Sequence, residues 1–152
     1  MRTRTLETQI EIAAPPQAVW AVLVDLERYA EWNPFVVEAA GQVREGARLR
    51  VRIRPQGGRA MVFRPRVTAA EPGRRFAWLG HLGVPGLFDG AHRFTLEPTA
   101  TGTRLVQAED FRGLLAGPLL RSMATGSLAG FEAMNLALRQ RAEAAVAAGT
   151  PR

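Results

Sequence analysis

The chain has 152 residues, no cysteine and a formal net charge of +6. That length suits one domain with one core, expected over residues 1–152 with its ordered part at about residues 5–147. The missing thiols exclude disulfides, thiolate nucleophiles and Cys-ligated metals, and make the cytoplasm the expected compartment.

Lysine is absent as well, so all 20 basic residues are arginine and lysine Schiff-base chemistry is excluded. The start, Met1 to Glu7, has no apolar signal-peptide core, and no apolar run approaches the roughly 20 residues that span a bilayer. Leu6, Thr8, Ile10 and Ile12 alternate with polar neighbours and predict a half-buried strand, which Ala14-Pro15-Pro16 stops. Pro16 to Val24 predicts a short helix with Val19, Trp20 and Leu23 on one face. A second short helix is expected from Asp25, read as its N-cap, to Trp32, where Asn33-Pro34 ends it. Phe35 to Ala40 predicts another strand.

A meander follows, made of Leu49 to Ile53, Met61 to Ala69, Phe76 to Gly80 and a hairpin from His92 to Phe111. Its turns predict a register. Ile53 should face Met61, Val51 Phe63, and Leu49 Pro65; Ala69 should face Phe76, and Val67 Trp78. Trp78 should then face His92, Phe76 Phe94, Phe94 Gln107, and His92 Glu109. After Gly113 the period becomes helical through Leu120, Met123, Ser127, Phe131, Met134 and Leu138. Pro118 is placed to open a helix of about 30 residues, some 45 Å long by the helical rise. Gly149 to Arg152 is expected to fray.

The last strand carries Leu105, Gln107, Glu109 and Phe111 on its inward row. Two polar residues on a core row call for a cavity rather than a filled interior. His92 and Glu109, directly opposed, fit either a buried pair that holds two strands together or an acid–base pair acting on an enolisable substrate. Gln107 offers a donor and an acceptor, and Trp78 an aromatic face with one N–H. Trp32 is expected to cover the barrel mouth within reach of a ligand, and His81 to lie exposed in a loop. Two histidines without cysteine argue against a zinc site, and no phosphate-binding or dinucleotide motif is present, so no metal or cofactor is expected. Arg48, Arg50, Arg52 and Arg54 form a stripe, read as the outer face of a half-exposed strand and not as a nucleic-acid interface.

Three segments carry a resemblance: Ile10 to Trp20, Asp25 to Pro34, and Gly130-Phe131-Glu132-Ala133-Met134-Asn135. With the element order, they resemble the START and birch-pollen-allergen superfamily, also called SRPBCC, within its polyketide cyclase/dehydrase and lipid-transport group. The resemblance implies an α+β helix-grip fold, a seven-stranded curved antiparallel sheet wrapped around the long C-terminal helix. It also implies an internal cavity, and closing loops at Pro55 to Arg59 and His81 to Phe88. The expected function is binding of a small hydrophobic or aromatic molecule. Trp78, Phe63, Phe94, Gln107, Met123, Phe131, Met134 and Trp32 are the expected ligand contacts. A cyclase or dehydratase using His92 and Glu109 is the alternative, and an interaction domain with a filled core is the third reading. The protein is expected to be a monomer or homodimer without integral membrane association.

Overall fold

A computed structural model describes residues 2–149. Strand β1 (Arg4–Ile12) leads into helix α1 (Pro16–Leu23), which opens on Pro16, where the missing N–H has no helical partner to lose. A single 3₁₀ turn, Leu26–Arg28, precedes helix α2 (Tyr29–Trp32). Asp25 does not cap this segment; its carboxylate pairs with Arg28 at 3.2 Å. Tyr29 is fully buried and its hydroxyl donates to the Leu23 carbonyl at 2.6 Å, tying the two short helices together.

The strands that follow are β2 (Val36–Ala40), β3 (Arg50–Ile53), β4 (Met61–Phe63), β5 (Arg66–Glu71), β6 (Arg75–His81), β7 (Asp89–Thr99) and β8 (Gly102–Arg112). They form an antiparallel sheet of order β1-β8-β7-β6-β5 and a smaller one of order β2-β3-β4. The described residues form eight strands where seven were expected, because the Met61 to Ala69 run breaks at Arg64-Pro65. Proline has no N–H for the ladder. The two sheets stay joined across the break, since Leu49 N–H donates to the Pro65 carbonyl and Val67 N–H to the Ala47 carbonyl, both at 2.8 Å.

The expected register holds at Ile53–Met61, Val51–Phe63, Val67–Trp78, Trp78–His92, Phe76–Phe94, Phe94–Gln107 and His92–Glu109. One pair differs: a bulge between Val67 and Ala69 moves the partner of Phe76 to Ala70. An extra residue on one strand sharpens local twist. On the outer face Arg50 and Arg52 flank Glu38 at 3.7 Å each, and Arg48 donates to the Arg64 carbonyl at 2.8 Å.

Helix α3 (Ala116–Ala148) has 33 residues and lies across the curved sheet. It begins two residues before Pro118, which sits in the first turn, where backbone N–H groups have no intrahelical acceptors. Leu120, Ser127, Phe131, Met134, Asn135, Leu138 and Ala142 are its buried stripe. Gly130 belongs to that stripe because a Cβ there would overlap the Phe35 ring. Gly149 follows the helix as its C-terminal cap; the rest of the expected frayed end, residues 150–152, lies outside the described residues. No helix among the described residues is long and apolar enough to cross a membrane.

Candidate functional site

The inward rows of β8, β7 and β6 stack in layers. Leu96 faces Leu105; above them come Phe76, Phe94 and Gln107, then Trp78, His92 and Glu109, and finally Gly80, Gly90 and Phe111. The first two layers are filled: Leu105, Phe76, Phe94 and Gln107 are each 0% exposed. In the last layer two glycines stand side by side where the pattern calls for two side chains. The space they leave is continued by Trp78, Phe63 and Met123 into a cavity of about 90 Å³ between sheet and helix.

Its polar groups are few. Glu109 on β8 and Ser127 on α3 both line it, and the Ser127 hydroxyl makes no hydrogen bond among the described residues. The Glu109 carboxylate lies over Gly90, where a Cβ would overlap Oε1; its other oxygen, Oε2, is 3.2 Å from His92 Nδ1. His92 does not line the cavity. It is 1% exposed, stacked on Trp78 at 5.0 Å and edge-on to Phe131 at 5.1 Å.

From His92 a chain of hydrogen bonds runs inward. Nε2 meets Gln107 Oε1 at 2.9 Å; Gln107 Nε2 donates to Asn135 Oδ1 at 2.6 Å and to the Phe131 carbonyl at 3.3 Å. Asn135 Nδ2 donates to Thr8 Oγ1 at 2.8 Å, and that hydroxyl donates to the Gln107 carbonyl at 3.3 Å. The chain spans β7, β8, α3 and β1, so it satisfies buried polar groups and pins the helix to the sheet.

The expected site residues therefore divide. Trp78, Phe63, Met123 and Glu109 are on the cavity wall. Phe94, Phe131, Met134 and Gln107 are completely buried in the packed interior, and His92, in the same layer as Trp78 and Glu109, is buried and off the wall. Trp32 is half-buried against Tyr29, with ring centroids 5.1 Å apart, and is not on the wall. Reasoning from sequence passed over Gly80 and Gly90, although the Trp78–His92 register already makes them opposite neighbours.

His81, expected to lie exposed in a loop, is instead in a strand and half-buried. The residue ends β6 and faces Asp89, with Nδ1 2.6 Å from Oδ1 and its side chain 30% exposed, at the edge of the cavity. Both Asp89 oxygens accept from Gly86 N–H at 3.0 Å, which ties down the 82–88 loop. Burial opposes the Asp89 charge, yet the His81 ring, the Gly86 amide and the His81 charge together hold it below the usual carboxylate range. Among the described residues no three His, Asp or Glu side chains converge as a metal site.

A curved antiparallel sheet holding a long C-terminal helix, with an apolar cavity between them, defines a helix-grip protein. Residues 3–143 match the family model "Polyketide cyclase / dehydrase and lipid transport", and the chain belongs to that family. No curated protein matches it. Among solved structures, the Zhui aromatase/cyclase from Streptomyces sp. R1128 superimposes with a TM-score of 0.79 at 24% identity, over 97% of this chain and 99% of that one. Protein MLL2253 from Mesorhizobium loti gives 0.69 at 26% identity, over 91% and 96%. The di-domain ARO/CYC StfQ from the steffimycin biosynthetic pathway gives 0.67 at 14% identity, over 92% of this chain and 52% of StfQ.

Proposed function

We propose that the protein holds a small hydrophobic or aromatic molecule in the cavity between the sheet and α3. One observation carries this reading: an apolar hollow bounded by Trp78, Phe63, Val51, Phe111 and Met123, with Glu109, Ser127 and, at its edge, His81 as its polar points. Few polar groups in an apolar concavity are what a small-molecule site needs, because area gives affinity and the polar groups give orientation. At about 90 Å³ the hollow suits a single ring, and a larger guest requires Met61 and Met123, flexible side chains on its wall, to move. Such a hollow speaks against an interaction domain with a filled core. Native mass spectrometry of the purified protein tests the reading: a co-purified small molecule is expected in wild type and its loss in Gly80→Leu, which fills the hollow. Equal retention by both proteins overturns the cavity as its place.

A second reading, an enzyme of cyclase or dehydratase type, is favoured by the Glu109–His92 pair. The carboxylate is on the wall and the imidazole stands behind it. Glu109 would exchange the proton with an enolisable substrate and His92 would position it. This reading fails if turnover of a polyketone survives both His92→Ala and Glu109→Gln while binding weakens.

A further inference from the structure

The cavity wall presents a hydrogen-bond acceptor and no donor at Glu109, and this follows from groups buried well behind it. The starting point is the Phe131 carbonyl. It is an acceptor only, 3.3 Å from one terminal atom of the Gln107 amide, so that atom is the nitrogen. Reversing the amide would set two oxygens against each other there. It would also turn Asn135 over and take the Thr8 hydroxyl away from the Gln107 carbonyl. With the nitrogen fixed toward α3, Gln107 Oε1 faces His92, and His92 Nε2 must carry the hydrogen between them.

That leaves Nδ1 and Glu109 Oε2, 3.2 Å apart, to share one proton. Either the imidazole holds it and Glu109 is a carboxylate, or Glu109 holds it on Oε2 and donates to a neutral ring. In both placements Oε1 keeps its lone pairs. Oε1 has no hydrogen-bond partner among the described residues and lies over Gly90, on the wall of the cavity. Only a second proton on the pair would make it a donor.

We propose that the site selects ligands bearing an O–H donor on an apolar ring, a phenol or an enol, with the hydroxyl donating to Glu109 Oε1. The inference rests on the cavity reading above and adds the polarity of the guest. Of the other polar lining residues, His81 at the cavity edge is engaged through Nδ1 with Asp89, and Ser127 can donate to an oxygen of that guest and so accommodates the donor rather than competing for it. His92 is here a positioning residue: it touches no ligand and sets which Glu109 oxygen is free.

The test compares phenol with toluene, near-equal in shape, by calorimetric titration of wild type, Glu109→Leu, Glu109→Gln and Gly90→Ala. The ratio of the two affinities cancels differences in general hydrophobicity when compared between proteins. Glu109→Leu should lower the phenol preference by about tenfold, the size at which the ranges for a hydrogen bond to a neutral and to a charged acceptor meet. Glu109→Gln should keep part of it, since its amide nitrogen can donate to His92 Nδ1 and turn the oxygen to the cavity. Gly90→Ala, which replaces no polar side chain, should lower it by displacing the Glu109 carboxylate, and serves if Glu109→Leu does not fold. A preference unchanged by Glu109→Leu and Gly90→Ala overturns the inference and leaves the cavity reading intact. Binding of neither probe to wild type overturns both. Independently, nitrogen NMR of His92 should show Nε2 protonated; a bare Nε2 beside a protonated Nδ1 overturns the inference.

Discussion

The two ends of the inward sheet surface are built from the same strands and differ in what stands on them. At the Leu96–Leu105 end every inward position carries a side chain, and those side chains pack to complete burial. At the Gly80–Gly90 end two adjacent positions carry none, and a hollow opens. Between them lies the layer of Trp78, His92 and Glu109, half packing and half wall. A binding cavity thus needs no special element. It needs side chains omitted at neighbouring points of one layer, and a packed, hydrogen-bonded layer beneath that keeps the strands from collapsing inward.

The filled end should be the more costly to disturb. Phe131 is fully buried, with ring centroids 5.4 Å from Phe35 and 5.1 Å from His92. Phe131→Ala should cost about 3–5 kcal/mol in chemical denaturation. A loss below about 1 kcal/mol would show that this end is no better filled than the other. Next in size is Gln107→Leu, which leaves His92 Nε2, Asn135 and the Phe131 carbonyl without their partner. The expected cost is about 1–3 kcal/mol. Because Asn135 belongs to the same chain, adding Asn135→Leu should cost less than it does alone, and strict additivity in that cycle would mean the bonds are not coupled.

The open end should respond with the opposite sign. Gly80 has ordinary backbone geometry, and a Cβ there would meet only Pro65 Cβ, at 3.6 Å. Gly80→Ala should therefore raise stability by about 0.5–1 kcal/mol through the lower entropy of the unfolded chain. Destabilisation in the same denaturation experiment would mean that the glycine is needed for the strand and not for the hollow.

Why the hollow was expected but the glycines that open it were not follows from the same comparison. Pattern reading weighs side chains that are present: it found the row of Leu105, Gln107, Glu109 and Phe111, and the pairing of His92 with Glu109, because alternation and turn position determine both. It took Gln107 and Phe94 for cavity contacts because a polar group beside aromatics looks alike whether the space around it is empty or filled by a helix. Asn135, 28 residues away, is what fills it. The break at Pro65 and the bulge after Val67 depend on how β5 meets the flanking strands, and local alternation carries no such information. The START-like outline was readable from contiguous segments; of the site, assembled across strands and α3, Trp78, Phe63, Met123 and Glu109 were readable, and which of their neighbours are packed instead of on the wall was not.

The smallest expected effect lies at the edge of the open end, in the His81–Asp89 pair. Asp89 titrates below the usual carboxylate range in the folded protein, so its ionised form is favoured by folding. The sign follows from linkage. Its contribution is present above the unfolded value of about 3.9, hence at neutral pH, and is lost as pH falls through the lower folded value. What is lost is the hold on Gly86 N–H and on the His81 ring, and so on the 82–88 loop beside the cavity. The side chains are partly exposed, at 30% and 23%, so solvent screening keeps the effect small. Carbonyl-carbon NMR of Asp89 through an acid titration should give a midpoint below 3.9, and Asp89→Asn should speed amide exchange at Gly86 with little change in global stability. A midpoint at or above 3.9 would detach this pair from the loop and leave the open end bounded by its glycines alone.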